Sequence, residues 1–193
     1  MSKRVLVLSG SPTAGSFSEE LADTYSMAAQ ANFSVRQIKI SQLDFTPTLH
    51  DHHYTRERTI NPAIRELQQS LHWAEHILIT TPAWWGALPA KFRQMIGHAV
   101  ADNGALTCHD SQNIRVRHLR HKTARIIMAM DAPPWHYKFV QGAPAFKQLA
   151  LAKLRQHGIK KAKYSLWGPV GDASQNERNN WMLQAMLLGK YAQ

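Results

Sequence analysis

The run Ile77-Leu78-Ile79-Thr80-Thr81-Pro82-Ala83-Trp84-Trp85-Gly86-Ala87-Leu88-Pro89-Ala90-Lys91 constrains this chain more than any other stretch. A short apolar segment with β-branched residues reads as a buried strand. It is expected to stop at Pro82, and two tryptophans and a glycine follow before a helix begins near Pro89. Large aromatics beyond a strand's carboxyl end lie where open α/β sheets bind ligands, and a flat ring system is a fitting guest. The plain alternative is a tryptophan pair that plugs the core over a loop.

The same kind of strand recurs along the chain, alternating with helices. Arg4–Leu8 is a short apolar strand, followed by a helix over roughly Ser18–Ala31. Phe33–Ile40 alternates apolar and polar residues like a strand with one wet face. A helix over about Pro62–Glu75 carries Ile64, Leu67, Leu71 and Ala74 at three- and four-residue spacing, and a further helix spans about Pro89–Val100. Ala124–Met130 is a fourth strand, then a helix over about Ala145–His157 closed by Gly158. Ala162–Trp167 is a fifth strand and Asn176–Leu188 a final helix. Strands that alternate with helices imply a parallel sheet covered on both faces. The length, 193 residues, suits a single domain over 1–193.

The first strand runs into Ser9-Gly10-Ser11-Pro12-Thr13-Ala14-Gly15-Ser16-Phe17-Ser18, a loop of hydroxyls and glycines without a basic side chain. Ser18 then stands before Glu19 and Glu20 and is expected to cap the helix. Strand, Ser/Gly loop and helix start together make an anion site of backbone N–H groups and hydroxyls suited to phosphate. The loop matches neither the Walker pattern nor G-x-G-x-x-G, which argues against nucleoside triphosphates and the standard dinucleotide fingerprint.

Composition narrows the setting. One cysteine, Cys108, permits no internal disulfide and reads as a bystander thiol in a reducing compartment. No apolar run approaches a membrane span and the start lacks a signal-peptide core, so a cytoplasmic protein without membrane insertion is expected. The formal net charge of +10 favours phosphorylated ligands, nucleic acid or anionic surfaces. Its densest stretch, Arg115–Lys122, reads as a solvated connection, with nucleic acid as the sharper alternative. No helix-turn-helix, zinc or RNP pattern accompanies it.

In order along nearly the whole chain, these residues resemble the flavodoxin-like NAD(P)H:quinone oxidoreductases, the group of drug-activity modulators and potassium-efflux ancillary reductases. The resemblance lies in Gly10-Ser11-Pro12 with Ser16-Phe17-Ser18 and Leu21-Ala22, and in Leu43-Asp44-Phe45-Thr46-Pro47. It continues in Trp73-Ala74-Glu75, Pro82-x-Trp84-Trp85-Gly86-x-x-Pro89-Ala90, His157-Gly158-Ile159-Lys160 and Trp167-Gly168-Pro169-Val170. It implies a three-layer sandwich around a five-stranded parallel sheet of order 2-1-3-4-5. It also implies a flavin at the carboxyl ends of the strands, FMN or alternatively FAD, and NADPH or NADH as electron donor.

By matching position, Ser11, Ser16, Phe17 and Ser18 would hold the flavin phosphate, while Pro82, Ala83, Trp84, Trp85 and Gly86 would line the ring. Many relatives carry Thr-x-Gly-Gly after the fourth strand; here Met130-Asp131-Ala132-Pro133-Pro134-Trp135-His136-Tyr137 stands instead, like a subgroup with Asp-x-Pro-Pro-Trp-x-Tyr. Its prolines remove N–H donors, but Trp135 and Tyr137 would still wall the ring with Asp131 beside the flavin, and His136 or Tyr137 would protonate a reduced quinone. Loop packing is the alternative for that histidine and tyrosine. Gln68 falls where some FAD-binding relatives have a glutamine near the pyrophosphate, but FMN-binding relatives carry the same residue type, so it does not discriminate the two.

The resemblance thus implies hydride transfer from NAD(P)H through flavin N5 to a quinone-like acceptor, with ping-pong kinetics and a homodimer. A flavin-binding regulatory subunit with little turnover and a basic nucleic-acid-binding domain are the alternatives. Two metal patterns carry less weight. His72-Trp73-Ala74-Glu75-His76 matches H-x-x-E-H but feeds a buried strand, and His50, Asp51, His52 and His53 lie in a polar connection. No metal is expected.

Overall fold

The computed structural model describes residues 2–45, 61–101, 119–160 and 162–192. Cys108, His50–His53 and Arg115–His118 therefore lie outside the described residues, as do the expectations placed on them.

Five parallel strands form one sheet in the order β2-β1-β3-β4-β5: β1 (Arg4–Ser9), β2 (Ser34–Lys39), β3 (His76–Ala83), β4 (Thr123–Met130) and β5 (Ala162–Trp167). This is the expected order. Alternate side chains of the central strands feed two cores. Leu6, Leu8, Ile77, Ile79, Ile126 and Met128 pack under α2 (Pro62–Trp73), α3 (Ala90–Ala101) and α4 (Pro144–Phe146), which continues as wider π turns over Lys147–Leu154. Val5, Val7, Leu78 and Ile127 pack on the other face against α1 (Phe17–Gln30) and α5 (Gln175–Tyr191). These two helices approach closely at Gly189, where any Cβ would run into the Tyr25 carbonyl. Among the described residues no helix is long and apolar enough to cross a membrane.

Local sequence explains the ends of the helices. Asn61 caps α2 by accepting from Ala63 N–H at 2.8 Å, with Pro62 in the first helical position. Ser174 and Glu177 close a full capping box on α5. Lys122 donates to the carbonyls of His72, in the last turn of α2, and of Ala74, just past it, so this end of the basic stretch caps a helix.

Most element ends shift from expectation by one to three residues, and two of the shifts have a local cause. β3 does not stop at Pro82; Pro82 pairs with Ala129 and Ala83 with Met130. The proline is tolerated because Thr80 faces β1, its carbonyl accepting from Gly10 N–H at 2.7 Å. Pro82, two residues on, faces the same side, beyond β1's last residue Ser9, where no ladder hydrogen bond is required. The helical path after Pro144 ends at Leu154 rather than His157. Gly158, at φ +118, follows where a Cβ would sit 2.7 Å from Arg120 N.

Candidate functional site

The loops leaving β1, β3, β4 and β5 meet at the carboxyl edge of the sheet, stitched by backbone hydrogen bonds. Gly10 N–H reaches Thr80 O at 2.7 Å, Ala145 N–H reaches Gly86 O at 3.1 Å, and Val170 N–H reaches Met130 O at 2.9 Å.

In the β1–α1 loop the residues take different places from those expected. The helix begins at Phe17 with Ser16 as its cap, so Ser18 lies buried within the first turn instead of capping it. The cap residue is extended (φ −73, ψ 153), yet its hydroxyl makes no capping bond and is buried without a partner among the described residues. The first N–H groups of α1, from Phe17 and Ser18, have no carbonyl behind them in the helix. Ser11 is committed to the loop's own turn, donating to Thr13 O at 3.1 Å and accepting from Thr13 N–H at 3.2 Å. The Phe17 ring turns away toward α5, 5.9 Å from Trp181 and beneath the Arg178 guanidinium. Ser16 and the helix N–H groups thus remain as the donors, a set that fits a phosphate.

Two hydroxyls at this edge were not anticipated from sequence. Ser9 and Thr80 are register partners, both buried, and neither side-chain oxygen has a partner among the described residues. Their signal was a polar residue directly after a short apolar run, Ser9 after Val5–Leu8 and Thr80 after Ile77–Ile79.

Beyond β3, Trp84 and Ala87 exchange two backbone hydrogen bonds, 3.0 and 2.8 Å, closing a two-residue hairpin. Trp85 (φ +50) and Gly86 (φ +79) occupy its corner with the positive φ pair of a type I′ turn. Its positive φ is what calls for glycine at 86; a Cβ there would lie 2.8 Å from Gln141 Oε1, the tip of a flexible side chain that can move aside. The turn leaves Trp85 fully exposed and Trp84 half-exposed, so this pair does not plug the core. Pro82 is half-buried and Ala83 is buried at the end of β3.

After β4, Asp131 and Trp135 are exposed, and Trp135 meets the His136 ring edge-on with centroids 5.7 Å apart. His136 Nδ1 is buried without a partner among the described residues. Tyr137 departs from expectation. It lies on a π turn (His136–Val140), 1% exposed, within the core beside Met128. Its hydroxyl accepts from Phe146 N–H at 3.1 Å, and burial pushes the phenol above its ordinary range. Tyr137 is thus packed as a core residue, which favours the packing alternative over a role as the acceptor's proton source. Phe139 and Val140, which sequence did not single out, are exposed on the same turn.

The remaining motifs take structural places. Gln68 is buried between α2 and α3, its amide donating to Ala99 O at 3.3 Å. Glu75 accepts from Arg4 N–H at 2.9 Å, and His76 Nδ1 meets the Thr123 hydroxyl at 2.7 Å. No group of His, Cys, Asp and Glu able to hold a metal ion occurs among the described residues.

Residues 3–177 match the model of the Flavodoxin_2 family, described as a flavodoxin-like fold. The chain belongs to this family. No curated protein matches it in sequence. Among solved structures, an NAD(P)H:quinone oxidoreductase from Methanothermobacter marburgensis aligns with a TM-score of 0.79 at 16% identity, covering 100% of this chain and 98% of that one. An FMN-dependent NADH-azoreductase from Bacillus anthracis, solved with FMN, aligns with a TM-score of 0.70 at 13% identity, covering 98% and 99%. At such identities the likeness establishes the shared Flavodoxin_2 architecture.

Proposed function

We propose that the protein is an FMN-dependent NAD(P)H oxidoreductase that passes hydride to a quinone-like acceptor. The observation that carries this reading is the start of α1. There a buried, unpartnered Ser16 hydroxyl joins the first helix N–H groups beside a loop without a basic side chain. Neutral donors of that kind fit a phosphate monoester. FMN is favoured over FAD because these donors match a single terminal phosphate, and the FMN-dependent azoreductase of similar fold was solved with FMN. Family membership and likeness to a quinone oxidoreductase and an FMN-dependent azoreductase support the same reading.

Ser16 and the N–H groups of Phe17 and Ser18 would hold the phosphate. The Trp84–Ala87 hairpin and Trp135 would border the ring. A bound flavin supplies hydride transfer at N5 between nicotinamide and acceptor. The chain's own part is to orient those reactants, to shield them from water with indole faces, and to deliver a proton. With Tyr137 in the core, His136 is the remaining proton donor of the expected pair. One face serving donor and acceptor in turn gives ping-pong kinetics, and the net charge of +10 favours NADPH over NADH.

Trp84, Trp85, Trp135, Phe139 and Val140 expose apolar surface around this mouth. A second copy of the chain would cover it in a two-fold homodimer. The activity test is oxidation of NADPH and NADH by FMN-loaded protein with menadione as acceptor. Turnover with parallel double-reciprocal lines is expected. Tight FMN with negligible turnover would favour a regulatory subunit, and salt-sensitive nucleic-acid affinity without flavin would favour a nucleic-acid-binding domain.

A further inference from the structure

The chain uses the same pattern, Ser-x-x-Glu, at the start of two helices, and the two starts are wired differently. At α5 the pattern closes on itself: Glu177 N–H donates to Ser174 Oγ at 3.3 Å, and Ser174 N–H donates to Glu177 Oε2 at 2.8 Å. At α1 the equivalent residues are Ser16 and Glu19, and neither half of the box forms. Glu19 reaches one residue further back, accepting from Gly15 N–H at 2.8 Å through Oε2. Its Oε1 accepts from the Ser41 hydroxyl at 3.2 Å and faces Lys39 Nζ at 3.3 Å.

That arrangement frees the Ser16 hydroxyl, but it places a carboxylate only 3% exposed within the loop read above as a phosphate cradle. A buried negative charge beside a phosphate dianion would oppose binding unless a cation compensates it. The loop carries none. Lys39, the last residue of β2 and the register partner of Ser9, supplies it from outside. Its ammonium also meets Asp23 one turn along α1 at 2.8 Å, and Asp23 in turn accepts from the Gln37 amide at 2.6 Å. The hydrogen bond to Asp23, ahead of the Glu19 contacts, holds the Lys39 ammonium above its ordinary range, so it stays charged.

We propose that Glu19 and Lys39 form a charge-compensated latch that holds the β1–α1 loop in its phosphate-accepting shape. In this arrangement Glu19 shapes the loop and Lys39 acts through Glu19, so both are positioning residues. The inference rests on the FMN reading, because the ligand whose affinity the latch governs is the flavin's phosphate end. Riboflavin carries the same ring without the phosphate and separates the two.

The test is titration of flavin fluorescence with FMN and riboflavin for the wild type, Lys39→Met, Glu19→Gln and the double variant, each checked for folding by circular dichroism. Lys39→Met leaves the buried carboxylate uncompensated and should weaken FMN by about tenfold or more while riboflavin changes little. Glu19→Gln keeps an acceptor for Gly15 N–H without the charge and should retain FMN. The double variant should regain most of the FMN affinity lost in Lys39→Met. If Lys39→Met does not fold, the double variant and Glu19→Gln still decide the matter, because loss of FMN selectivity in both overturns the latch. Parallel losses of FMN and riboflavin in Lys39→Met, or an unchanged FMN-to-riboflavin ratio, also overturn it. A wild type that binds neither flavin overturns the FMN reading itself and the latch with it.

Discussion

His76 should make this protein's stability fall steeply in mild acid. The residue opens β3, is 2% exposed, and shares a 2.7 Å hydrogen bond between Nδ1 and the Thr123 hydroxyl. Its Nε2 is buried without a partner among the described residues. Burial, and then the nearby charges of Lys3, Arg125 and Lys163, push the imidazolium pKa from 6.5 down to about 3. The unfolded chain therefore takes up a proton near pH 6.5 that the folded chain refuses until about pH 3. Between those values the unfolded state holds more protons, so stability rises with pH. The contribution is complete above the unfolded value and is lost as pH falls through the window, at roughly 1.4 kcal/mol per unit. From pH 7 to pH 5 that amounts to about 2 kcal/mol, after allowing for partial protonation of the unfolded chain. Urea unfolding of wild type and His76→Gln at both pH values isolates the term, since the other titrating groups are common to both proteins. Wild type should lose about 2 kcal/mol more than the variant between the two pH values. Equal losses would refute the argument that burial keeps this imidazole neutral.

Ser16→Ala should weaken FMN by roughly tenfold to a hundredfold, the loss of one hydrogen bond to a charged group, and leave riboflavin nearly unchanged by fluorescence titration. Tyr137→Phe should leave the acceptor step intact in stopped-flow reoxidation and cost about 1–2 kcal/mol of stability, because Phe146 N–H loses its acceptor. Gly86→Ala should destabilise by about 1–2 kcal/mol through its left-handed backbone, whereas Trp85→Asn at the neighbouring corner should be neutral or stabilising in thermal unfolding.

Sheet and layers were legible because each central strand is a short run such as Val5-Leu6-Val7-Leu8 or Ile77-Leu78-Ile79, and helical stretches such as Pro62–Glu75, with apolar residues at three- and four-residue spacing, alternate with them. The strand order itself came from resemblance, since local patterns do not encode which strands are neighbours. The β1–α1 loop stood out in the sequence, but which of its residues caps the helix did not. Two serines two residues apart both resemble caps, and only the backbone shows that Ser16 caps while Ser18 lies inside α1. Ser16-x-x-Glu19 resembles a capping box, and only the fold brings Lys39 and Gly15 to Glu19 and opens it. The core position of Tyr137 was not legible because a tyrosine in a Pro/Trp-rich segment gives no sign of which way it faces. The π turn swings it inward beside Met128 and sets Phe139 and Val140 outward. Pro82 misled for a similar reason, because whether its missing N–H matters depends on where the neighbouring strand ends.

The central claim is that this chain holds FMN at the start of α1 by its phosphate. Isothermal titration of the purified protein with FMN, FAD and riboflavin tests it most directly. The account predicts a single FMN per chain at micromolar affinity or tighter, with riboflavin and FAD both weaker. No heat of binding with any flavin, or riboflavin binding as tightly as FMN, would contradict it.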